Sequence, residues 1–368
     1  MKITEIRLGM LRVPLKTPFK TALRTVQAIE DVVVMVHTDD GRIGHGSAPA
    51  TPPITGDTHG SIIAAIERCL APRLIGEDIA DLQRLRGLIQ GALEHNSSAK
   101  AAMEIAVHDL WAQQHGAPLY RLLGGGTPQL TTDLTISVNA VDTMVADALS
   151  ALARGFVALK IKIGTDVVED IARVKAIHAA VGERAQLRLD ANQGWTPKQA
   201  VQAMHALERA GVTLELLEQP VKAGDIDGLQ YVTERIQTPV MADESVFSPA
   251  QAIALLQRRA ADIVNIKLVK AGGLSNALRI ADIAAVYGVP CMIGCMLESS
   301  IGVAAAAHLA VARADVITKV DLDGPSLGAF DPVVGGVQFD EAQIRIGEAP
   351  GLGIREIQGL ELLPRTVR

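Results

Sequence analysis

The sequence predicts an α/β chain: a (β/α) barrel of TIM type with an α+β capping domain formed by the N-terminal region and the C-terminal tail. Three observations predict it. From about residue 130, strand and helix patterns alternate until eight apolar strands have passed. Landmarks in seven of them, at residues 162, 190, 218, 243, 267, 294 and 321, lie 24 to 28 residues apart, the length of a strand–helix unit. Nearly every strand ends in charge: Lys160 and Lys162, Asp190, Glu218, Asp243, Lys267, then Asp321 and Asp323, with Glu298 just past a strand. In a barrel those ends form the catalytic face. The rival, an open doubly wound sheet, is weakened as a nucleotide binder because no G-x-G-x-x-G follows its first strand.

The elements follow in order. Residues 1 to about 50 read as a β-meander: Ile3 to Leu8 alternates, Asp31 to Thr38 is a Val-rich strand, and Asp39-Asp40-Gly41 is a turn. Pro14 to Thr25, with Phe19 and Arg24, reads as a polar loop, and Pro49 to Thr58 as a second. Helical periodicity covers Ser61 to Leu123, with Ser97-Ser98 expected to cap Ala99 to His115. His108 and Asp109 are adjacent in that helix and do not share a face, so they form no dyad. Gly124-Gly125-Gly126 reads as a hinge. The expected strands are 133–138, 159–164, 186–190, 214–218, 240–243, 263–267, 290–294 and 319–323. Trp195 is expected to pack the barrel rim. The expected division is a capping domain at 1–123, a catalytic barrel at 124–324, and a segment at 325–368 that returns to the cap.

Composition excludes some functions. A net charge of −6 without a basic block argues against nucleic acid. The chain has no apolar run of membrane length and no signal-peptide pattern at Met1 to Arg7. Cys69, Cys291 and Cys295 fit no disulfide framework, which suits a reducing cytoplasm. Cys291-x-x-x-Cys295 lacks the further ligands that would complete a metal site.

Leu159 to Gly164 organises the chemistry. Leu159, Ile161 and Ile163 alternate with Lys160 and Lys162, so both ammonium groups face one way. A packed core would expel them unless that face opens on a polar pocket. The three acids Asp190, Glu218 and Asp243 would repel one another without a cation. Three hard oxygen ligands suit Mg²⁺. Lysines on the second and sixth strands offer a base to each face of a carbon beside a metal-held carboxylate. Lys160 and Lys162, ~6.6 Å apart along the strand, would repel by ~2.5 kcal/mol. That repulsion would ease proton loss from Lys162 and leave Lys160 as electrostatic support.

At these residues the chain resembles the muconate-lactonising subgroup of the enolase superfamily, whose lysine bases and metal-stabilised ene-diolates are a known pattern. Within it, the chain is most similar to the dipeptide epimerases that act on Ala-Glu. The similar stretches are Phe19 to Thr25, Ile54 to Asp57, Leu159 to Gly164, Arg188 to Trp195, Glu218-Gln219-Pro220, Met241 to Ser245, Asn265-Ile266-Lys267 and Asp321-Leu322-Asp323. The lysines and metal acids specify the subgroup; Asp321-x-Asp323 and the Arg24 loop point to dipeptides.

The resemblance implies an Mg²⁺-dependent isomerase acting through an enediolate on L-Ala-D-Glu and L-Ala-L-Glu, in the cytoplasm, in murein peptide metabolism and as a homo-oligomer. Asp190, Glu218 and Asp243 would bind the metal. Lys162 would serve the R epimer and Lys267 the S epimer. Asp321 and Asp323 would grip the dipeptide ammonium, Arg24 the glutamate side chain, and Thr135, Cys295 and Leu297 would line the pocket. The segment Met292 to Glu298 departs from the family pattern, which bears on side-chain specificity, and Glu298 has no implied role. The alternatives are an epimerase of other side-chain specificity, an o-succinylbenzoate synthase or muconate cycloisomerase, and a non-catalytic barrel that binds small acids.

Overall fold

The computed structural model describes residues 1–368. The chain begins with a long hairpin, β1 (Ile3–Lys20) against β2 (Thr25–Thr38), followed by β3 (Ile43–Pro49). These three strands and a C-terminal strand, Glu361–Val367, form one sheet, in which the last strand pairs antiparallel with β1. Helices between residues 59 and 114 cover its inner face, and a cluster including Val32, Val34, Val36, Met103 and Leu110 fills the space between.

The helix Ser97–Gln114 packs on β3 at unusually close range, because Gly44 and Gly46 face it. A side chain on Gly46 would collide with the Ala102 carbonyl, and one on Gly44 with that of Ala106. The helix is capped differently from expectation. Asn96 precedes it in left-handed conformation without a side-chain cap, and Asp57 accepts from the Ser98 amide at 3.1 Å. An acid 41 residues upstream thus replaces the local serines, and the same bond ties the Pro49–Thr58 loop to the cap.

Eight parallel strands form the barrel: Leu134–Ile136, Ala158–Lys162, Gln186–Asp190, Leu216–Glu218, Val240–Ala242, Ile263–Ile266, Cys291–Gly294 and Ile317–Asp321. The eighth meets the first where the Asp133 amide donates to the Val320 carbonyl at 3.4 Å and the Leu322 amide to Thr132 Oγ1 at 2.9 Å. Helices surround the barrel, and a 65-residue cluster joins them to the strands' outer faces. The lower interior holds Leu216, Met241, Ile263 and Met292. It also holds an ion network: Arg188 reaches Asp133 at 2.7 Å and Glu215 at 2.5 Å, and Lys319 reaches Glu215 at 2.8 Å.

Three expectations are corrected. The segment read as a loop from Pro14 is strand as far as Lys20; only Thr21 to Arg24 turn, closed by the Thr21 amide on the Arg24 carbonyl. Alternation fails there because the register shifts between Pro14 and Phe19 where the hairpin overhangs the barrel. The first barrel strand ends at Ile136, because the Val138 amide leaves the sheet to bond the Lys20 carbonyl. The last ends at Asp321, so Asp323 sits at the start of a short helical turn.

Overpacking at so tight a crossing costs about 1–3 kcal/mol. Gly46→Ala is expected to lower the unfolding free energy by that much in urea denaturation, and an unchanged midpoint would show that the helix can retreat without cost.

Candidate active site

Strand register assembles the catalytic face. Lys162 pairs with Asp190 across the second and third strands, and Asp190 with Glu218 across the third and fourth. Asp243 and Lys267 follow directly after the fifth and sixth strands, and Asp321 ends the eighth. All are buried. The lysines and acids interlock. Lys160 Nζ lies 2.7 Å from Asp321, 2.7 Å from Glu218 and 3.2 Å from Asp190. Lys162 Nζ is 2.5 Å from Asp190, and Lys267 Nζ is 2.8 Å from Asp243.

Above this layer lies a pocket. Phe19, Leu23, Arg24 and Ile54 of the cap roof it; Lys160, Lys162 and Lys267 form its floor. Thr135, Cys295, Leu297, Asp321 and Asp323 complete the wall. Asp190, Glu218 and Asp243 do not line it; they lie behind the lysines. Every site residue expected from the sequence is therefore in or beneath one pocket. The Arg24 guanidinium makes no hydrogen bond or ion pair within the protein, and burial lowers its pKa from the ordinary value. Asp323 accepts from the Thr135 amide at 2.7 Å.

Sequence reasoning missed three supporting residues. Lys270, 1% exposed, sits 2.5 Å from Asp243 Oδ1 and donates to the carbonyls of Asp243, Val246 and Asn265. Its signal is the spacing Lys267-x-x-Lys270, one helical turn. Asn265 donates to Glu218 Oε1 at 2.9 Å. Glu244 is buried beside Asp243 with neither carboxyl oxygen hydrogen-bonded.

Burial and neighbouring charge sort the carboxyls into two groups. Burial, with Asp190 nearby, raises Glu218 to about 7. Burial, with Asp243 nearby, raises Glu244 to about 8, and burial with Asp321 raises Asp323 to about 6. Against the same burial, Lys162 and Lys160 hold Asp190 below the usual range. Lys267 and Lys270 hold Asp243 far below it, and Lys160 and Lys267 hold Asp321 at about 2.

Lys160, expected to act as electrostatic support, is held charged by the acids around it. Against burial, Asp321, Glu218 and Asp190 raise it well above its ordinary value.

A barrel whose catalytic face carries opposed lysines and buried acids, roofed by an N-terminal sheet, defines an enolase-type enzyme. The chain belongs to that superfamily: residues 143–357 match the family described as enolase C-terminal domain-like, and residues 3–124 the mandelate racemase / muconate lactonizing enzyme N-terminal domain. Its relatives are epimerases, and the chain is accordingly an isomerase. It is 49% identical to the L-Ala-D/L-Glu epimerase of Clostridium acetobutylicum, over 97% of this chain and 99% of that one. A solved substrate-liganded complex of the L-Ala-D/L-Glu epimerase from Bacillus subtilis is 48% identical and superposes with a TM-score of 0.95, over 97% and 99% of the two chains. The dipeptide epimerase of Enterococcus faecalis, solved with Mg and L-Leu-L-Tyr, is 41% identical with a TM-score of 0.93, over 97% and 100%.

Removing one partner of a buried ion cluster costs about 3–5 kcal/mol. Lys160→Met is expected to lower the stability of chelator-treated enzyme by that amount in urea at pH 7. A wild-type midpoint would mean that its three carboxylate contacts carry no net energy.

Proposed function

We propose that the chain is an Mg²⁺-dependent dipeptide epimerase that interconverts L-Ala-D-Glu and L-Ala-L-Glu by two-base proton transfer through an enediolate. One arrangement carries the reading: Lys162 and Lys267 reach one pocket from different strands, between two acids on its wall and a partnerless arginine in its roof.

The residues present fit a hard dication. Four buried lysines (160, 162, 267, 270) meet six buried carboxyls (190, 218, 243, 244, 321, 323), which leaves two negative charges over if all ionise. Glu218 Oε2 and Asp243 Oδ1 are buried and, though near Lys160 and Lys270, outside hydrogen-bonding directions. The side chains do not by themselves form a closed cage around one point, because each carboxylate leans to a lysine. Asp190, Glu218 and Asp243 would hold the ion. When bound, Mg²⁺ supplies positive charge to the substrate carboxylate and so acidifies the adjacent C–H.

The protein's own steps follow. Lys162 removes the α-proton of the R (D-Glu) epimer, and Lys267 delivers one to the opposite face; the reverse reaction exchanges the roles. Lys160, held charged by its three acids, stabilises the developing negative charge. Asp321 and Asp323 receive the dipeptide ammonium, with Asp321 shared with Lys160 and Asp323 braced by Thr135. Cys295 and Leu297 shape the wall beside them. Arg24, whose guanidinium has no acid of its own, pairs with the glutamate side chain.

An apolar second residue would leave that guanidinium desolvated and unpaired. A lyase or cycloisomerase substrate would bring no ammonium to Asp321 and Asp323. Murein peptide metabolism would supply such acidic dipeptides, and the three free cysteines accord with a reducing cytoplasm.

The central test uses single-lysine variants in D₂O. Lys162→Ala and Lys267→Ala should each abolish net epimerisation in both directions. Lys267→Ala should still incorporate α-deuterium into L-Ala-D-Glu but not L-Ala-L-Glu, and Lys162→Ala the reverse, by proton NMR. A single-lysine variant that interconverts the epimers at a near wild-type rate would refute the two-base assignment. For specificity, Arg24→Met should raise KM for L-Ala-L-Glu at least tenfold more than for L-Ala-L-Ala; equal effects would remove Arg24 from the side-chain contact.

A further inference from the structure

Glu298 follows the seventh barrel strand, yet no step above uses it. The residue is 5% exposed, and Oε1 accepts from the Met296 amide at 2.9 Å, which folds the Cys295–Glu298 loop back on itself. Oε2 points to Gly302, where a methyl group would collide with it and also touch Ser47 Oγ of β3 at 3.4 Å. Beside it, fully buried Asp31 of β2 accepts from the Ser299 amide at 2.9 Å, and Ser47 Oγ lies 3.4 Å from Ser299 Oγ. The second Asp31 oxygen is buried without a hydrogen-bond partner.

Apolar contacts cross the same seam. Met296 packs in the cap cluster with Val34 and Ala48, while Leu297 and Ile301 pack with Ile29 and Val33. A pocket-lining barrel loop is thus inserted into the cap sheet, and the polar ties at its centre come from the two strands that bear the capping loops. β2 starts directly after Arg24, and β3 ends at Pro49, before the Ile54 turn.

Neither carboxyl has a lysine or arginine partner. The nearby charges are His59 for Asp31, and Asp31 with Lys267 for Glu298. Burial raises both, Glu298 to about 8 with Asp31 adding to the effect. The Asp31 carboxylate in turn lies at the N-terminus of the 13-residue helix Ser300–Ala312, where an anion is favoured.

We propose that Asp31 and Glu298 are positioning residues that register the Arg24 and Ile54 loops over the catalytic face by pinning the seventh-strand loop into the cap sheet. The kinetic consequence rests on the epimerase reading; the structural one does not. Asp31→Ala and Glu298→Ala should each raise KM for L-Ala-L-Glu at least tenfold with kcat changed less than threefold. Both should speed amide hydrogen exchange at residues 296–301 and in the Thr21–Arg24 turn. Asp31→Asn, which keeps an acceptor for the Ser299 amide, should restore both readouts to within threefold of wild type. A merely structural role would lower the melting temperature without moving KM or exchange in the Arg24 turn, and that result would overturn the proposal. So would failure of Asp31→Asn to rescue. If Asp31→Ala does not fold, Glu298→Ala, acting on the other side of the seam, decides by the same criteria. If wild-type enzyme turns over no dipeptide, the function reading fails and the exchange measurement alone decides this one.

Discussion

The charge cluster at the barrel mouth is the constraint to which the other elements answer. Taking an ion out of water costs several kcal/mol even after relaxation, and only close opposite charge offsets it. Here every catalytic-face lysine lies within 3 Å of at least one carboxylate oxygen. That requires strand ends in strict register, since a one-residue slip would turn a lysine into the outer hydrophobic layer. The pairs Lys162–Asp190 and Asp190–Glu218 are register partners for this reason. The ion network of Arg188, Asp133, Glu215 and Lys319 below pairs two cations with two acids, and Asp133 links it to the layer above, since Asp321 adds to the burial that raises Asp133 and Asp133 in turn helps to raise Lys160.

The cap solves a different problem. A pocket floored by ammonium groups gains its electrostatic strength only where water is excluded. The cap excludes it with Phe19, Leu23 and Ile54, and holds these in place by bonds to other parts of the molecule. The Lys20 carbonyl accepts from Val138 of the barrel, and Asp57 caps a helix of the cap. A hairpin tip and a short helical turn would otherwise be mobile. Arg24 shares this setting, partly buried and without an acid of its own within the protein.

Period and spacing carried the barrel into view, because each unit must bury one strand and one helix and so repeats at nearly constant length. The site was legible for the same reason: charge at the end of an apolar strand is costly unless it works. What stayed hidden depends on distant chain segments. The cap on the Ser97–Gln114 helix comes from Asp57, and the end of the first barrel strand is set by Lys20; no local propensity encodes either. The role of Lys270 arises only when the turn after the fifth strand folds over it, bringing the Asp243 and Val246 carbonyls to its ammonium group. The spacing of Lys160 and Lys162 along one strand shows only their mutual repulsion, whereas the acids that surround Lys160 arrive from three other strands.

The central claim is that opposed lysines serve opposite faces of one carbon. The direct measurement is the early time course of wild-type enzyme with protiated L-Ala-L-Glu in D₂O, with the α-hydrogen of each epimer followed by NMR. A lysine that delivers the product's proton has exchanged with solvent before substrate arrives. The account therefore predicts that the first L-Ala-D-Glu formed carries deuterium throughout, while the remaining substrate stays largely protiated. Product that retains the original α-proton would show one group serving both faces, and would contradict the account.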